Sequence, residues 1–144
     1  MAILKPDTFG SEESLLKRVK QALTNLTGDS GGDSNEYGQA PIKLKADRDR
    51  LGPDYRAIWK KCTVEYDEKE RGEEMKGDRI MLGPFMTGFS VDQLEKTILH
   101  EFLHAALNDG WQRSGRDAQH GQINQIIKYN LHYPGPPNPA NPAE

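Results

Sequence analysis

The chain reads as a small α+β domain, and three observations carry that expectation. Apolar residues recur at helical spacing near the start and again after residue 90. Short alternating segments lie between those two regions. The 144 residues make one domain of ordinary size, with a real but modest core. The expected architecture is an N-terminal helix, a short mostly antiparallel sheet and two C-terminal helices. Residues 1–10 are expected as an N-terminal arm, 11–133 as the folded domain, and 134–144 as a proline-rich disordered tail.

Ser11 reads as an N-cap, with Glu12 and Glu13 in the first turn where acidic groups favour the helix dipole. Leu15, Leu16, Val19, Leu23 and Leu26 then predict an amphipathic helix over about 11–27. The stretch 27–34 is rich in Gly, Ser and Asp, and it predicts a flexible loop extending to about residue 38. Ile42 and Leu44 alternate with Lys43 and Lys45, as in a half-exposed strand. Tyr55, Ile58 and Trp59 have the spacing of a short helix. Residues 62–66 alternate as a strand, and 79–82 read as its returning partner. The charged stretch 67–78 between them reads as a long exposed hairpin loop. The chain has no internal repeats.

Composition excludes several classes. A single Cys rules out an internal disulfide framework and a multi-Cys zinc site. A net charge of −3 argues against a strongly basic nucleic-acid binder. Locally, the segment 43–61 carries seven basic and three acidic residues, so it is the one candidate contact for a nucleic acid or other polyanion. No apolar run approaches the roughly 20 residues of a membrane span. The first ten residues lack the apolar core of a signal peptide, which leads to the expectation of a cytoplasmic protein. The same feature fits a small effector exported by a dedicated secretion machine.

The four histidines all fall in the last 45 residues: His100, His104, His120 and His132. Ser90 and Gln93 form a capping box, and 108–110 (Asn-Asp-Gly) supply a stop, so a helix is expected over about 91–109. Near its C-terminal half this helix is apolar almost all round, which implies burial. Yet His100, Glu101 and His104 interrupt it, and a buried carboxylate without a partner is costly. These residues spell HExxH. Four positions turn a helix by about 400°, so the two imidazoles lie about 40° apart and can share one metal ion. Glu101 points about 100° away from His100, where it can act on a zinc-bound water as general base.

A catalytic zinc needs a third protein ligand. The position six residues after His104 is Gly110, which excludes a metzincin-type His. The only Glu after Glu101 is Glu144, in the tail, which argues against a gluzincin-type site. His120 and Asp117 remain, ahead of a second helix over about 119–132 whose apolar face is Ile123, Ile126, Ile127 and Leu131. Tyr129, His132 and Tyr133 are candidate stabilisers of the oxyanion.

HEFLHA, then His120-Gly121 opening a helix sixteen residues after His104, resembles the SprT-like (Spartan) zinc metalloproteases. The RIMLGP segment and Thr97-Ile98-Leu99 leading into the motif are similar too. The resemblance covers about residues 55–132 and implies a zincin-like fold, zinc on His100, His104 and His120, Glu101 as catalytic base, and protein substrates, often crosslinked to DNA. Four positions after His120, where that family usually has an aromatic residue, stands Asn124. The segment 114–121 also resembles the deuterolysin-type (aspzincin) proteases. That likeness implies Asp117 as the third ligand, with His120 steadying the transition state. From another class, a zinc-stabilised binding module that never turns over has the same ligands.

Overall fold

The computed structural model describes residues 2–38, 51, 55–70, 73–76, 78–107 and 116–128. It is an α+β fold built on a five-stranded mixed sheet. The strands are β1 (Ala2–Leu4), β2 (Glu36–Tyr37), β3 (Thr63–Tyr66), β4 (Glu73–Lys76) and β5 (Arg79–Leu82), in the order β2-β1-β3-β5-β4. Four α-helices are described: α1 (Glu13–Thr27), α2 (Tyr55–Lys61), α3 (Val91–Ala106) and α4 (Arg116–Ile127).

The first residues are not an arm. β1 lies inside the sheet, antiparallel to β2 and parallel to β3, with Leu4 opposite Val64. Ala2 and Leu4 are both 1% exposed. The run Ala-Ile-Leu is too short to show a period, but its apolar content suits a strand flanked on both sides. The sheet is also less antiparallel than expected. β3 and β5 pair in parallel, Val64 facing Ile80 and Tyr66 facing Leu82. Parallel neighbours need a crossover, and the charged stretch 67–78 supplies it while forming an additional strand, β4, antiparallel to β5. The charge that suggested a loop instead suits an edge strand, where it discourages pairing with other chains. Arg79 binds both carboxylate oxygens of Glu65, at 3.0 and 3.1 Å, across β3 and β5. That contact, helped by the Thr63 hydroxyl, holds the Glu65 carboxyl below its ordinary range against the opposing effect of burial.

The expected loop at 27–38 is also more structured than its composition suggests. Gly28 closes α1 at φ 76°, the left-handed conformation that favours glycine. A 3-10 turn and β2 follow, and Tyr37 is 1% exposed. Gly31, at φ 73°, lies under the Tyr37 ring, where an added Cβ would come within 2.5 Å of Cζ. The Tyr37 carbonyl accepts a 2.9 Å hydrogen bond from the Trp59 indole. The expected strand around Ile42 and Leu44 and the tail 134–144 lie outside the described residues.

α1 matches its sequence pattern: Leu15, Val19, Leu23 and Leu26 are buried and Leu16 is partly so. It starts two residues later than expected, and no side chain caps it. Its buried face packs on α3. Arg18 reaches past that face to donate to the carbonyls of Thr87 (2.5 Å) and Phe89, just ahead of Ser90. Asn25 on α1 adds a 3.1 Å hydrogen bond to Glu95 on α3. α3 begins as expected, with both bonds of the Ser90–Gln93 capping box present at 2.9 and 3.2 Å. It ends at Ala106, where Leu107 turns extended and bridges to Leu51. α2 packs beneath, with Trp59 edge-to-face on Phe102 at 5.0 Å. No described helix is long and apolar enough to cross a membrane.

Truncating Leu4 distinguishes an integral strand from an arm. Leu4→Ala should lower stability by about 2–5 kcal/mol in urea denaturation, the cost of a cavity in a packed core. An unchanged midpoint would return residues 1–10 to the surface.

Candidate metal centre

His100 and His104 follow from the α-helical turn of α3 alone. Their rings lie 4.8 Å apart, and their Nε2 atoms approach to 3.2 Å. Zinc–imidazole bonds of about 2.0–2.1 Å put two ligand nitrogens about 3.3 Å apart across a tetrahedral ion, so this pair has the right spacing. The third ring comes from α4. His120 stands 5.2 Å from the His100 ring and 5.1 Å from that of His104, centre to centre. One ligand atom from each of the three lies within 4.8 Å of the others. Each side chain is half-buried. Among the described residues this is the one His, Cys, Asp or Glu group with metal-binding geometry. Three imidazoles fit a zinc ion in donor type, number and spacing.

α4 starts at Arg116, three residues earlier than expected, so His120 falls in its second turn rather than its first. Ile123, Ile126 and Ile127, at +3, +6 and +7 from His120, are buried. The face that anchors the helix is therefore the face that presents the imidazole.

Glu101 is 6% exposed, and its Oε1 lies 4.0 Å from His100 Nε2. The carboxylate thus borders the three-histidine group without belonging to it. His100 is held neutral well into acid. Burial lowers its pKa from 6.5 to about 4, and His104 and His120 add charge repulsion against its protonation. A neutral imidazole keeps the lone pair that a metal requires.

The other candidates fare differently. Asp117 lies in the first turn of α4, three residues before His120, but its side chain is outside the described part of the structure. Tyr129, His132 and Tyr133 also lie outside it, as does most of the basic segment 43–61. Of that segment, Arg56, Lys60 and Lys61 are exposed on α2. Cys62 is fully buried, and burial pushes its thiol up to about 12, which removes it from both nucleophilic and ligand chemistry at neutral pH. Thr97, named above only for the likeness of the residues leading into the motif, also lies on α3. It is a buried polar residue, 8% exposed, one turn before Glu101. The signal was present: positions 97, 100, 101 and 104 form an i, i+3, i+4, i+7 stripe on α3.

No protein-family model, curated protein or solved structure matches the chain.

In metal-free protein, His100 should titrate near pH 4 by NMR of its ring carbon, not near 6.5. Between those values the unfolded chain binds a proton that the folded chain refuses, so stability should fall as pH drops from about 6.5 to about 4. Denaturant midpoints across that range check the sign, and His100→Gln should flatten the slope. An ordinary titration near 6.5 would contradict the burial described for this ring.

Proposed function

We propose that this chain is a zinc-dependent metalloprotease that hydrolyses peptide bonds of protein or peptide substrates. The observation that carries the reading is the convergence of His100 and His104 with His120, from two helices, beside the buried carboxylate of Glu101. A structural zinc site has no use for that carboxylate, whereas hydrolysis needs a base next to the metal. The likeness of HEFLHA and His120-Gly121 to SprT-like proteases points the same way.

In this reading His100, His104 and His120 hold the ion and leave one position open. When bound, zinc supplies Lewis acidity, polarising a substrate carbonyl and lowering the pKa of water to about 7. Glu101 accepts the proton released as water adds to the carbonyl, then returns it to the departing amine.

Asp117 stays a rival for the third position because it occupies the first turn of the same helix as His120. On that reading His120 contacts the reacting carbonyl instead. Both versions perform the same reaction.

Purified protein should carry one zinc per chain. Glu101→Gln should lower peptide hydrolysis by at least about 100-fold, the usual contribution of a general base, while keeping the zinc. His120→Ala should release the metal and Asp117→Ala should retain it. Retained activity in Glu101→Gln would remove Glu101 as the base, a zinc-loaded parent that hydrolyses no peptide would point to a zinc-stabilised binding module, and loss of zinc in Asp117→Ala alone would move the third ligand.

A further inference from the structure

We draw no further inference here: the strongest candidate, the cavity between the start of α1 and the end of β3 that is lined by Glu12, Tyr66, Asp67 and Glu68, is an acidic cluster beside a helix N-terminus, and nothing else in the structure points to a ligand for it.

Discussion

Almost everything in this fold follows from the need to bury α3 on most of its circumference while keeping one polar stripe on it. Leu94, Ile98, Leu99, Phe102, Leu103 and Ala106 are each at most 1% exposed, and they point in several directions round the helix. No single neighbour can cover such a surface. α1 covers one side, the sheet another, α2 a third and α4 a fourth. Each buried leucine or phenylalanine contributes about 1.5–3 kcal/mol relative to exposure, so the helix is held chiefly by apolar burial and only secondarily by its cap. Thr97, His100, Glu101 and His104 occupy what is left.

That arrangement has an electrostatic consequence. The surroundings that bury α3 also desolvate the groups on its polar stripe. For His100 the effect favours the neutral form. His104 and His120 add to it, since charge on either opposes protonation of His100.

How far the sequence revealed this depends on what kind of signal each element carries. α1 and α3 were legible because fifteen or sixteen residues span enough turns for a period to show, and because Ser90 and Gln93 mark a start chemically. The His100, Glu101, His104 group was legible because a helix fixes the relation of neighbours four apart. β1 was not, since three residues carry no period and its burial depends on strands that arrive 30 and 60 residues later. β4 was misread for the opposite reason: its charge suits an edge strand as well as it suits a loop. The parallel pairing of β3 and β5 was also hidden, because alternation identifies a strand but not the direction of its neighbour. Tyr37 and Trp59 show the same limit, joined by a hydrogen bond between two segments that each looked ordinary alone.

The position of His120 illustrates how a long-range relation can still be specified by local means. Nothing near residue 120 encodes the distance to His100. What the local sequence does encode is an apolar face on α4, from Ile123, Ile126 and Ile127, and a histidine on the same face one turn earlier. Burying the isoleucines against α3 sets the rotation of α4 about its axis. A shift of one residue would turn His120 by about 100° and expose two isoleucines with it. The loss would be several kcal/mol of burial, far more than a half-exposed histidine could recover by finding another partner. The hydrophobic contact between the two helices therefore orients the third imidazole toward the pair on α3.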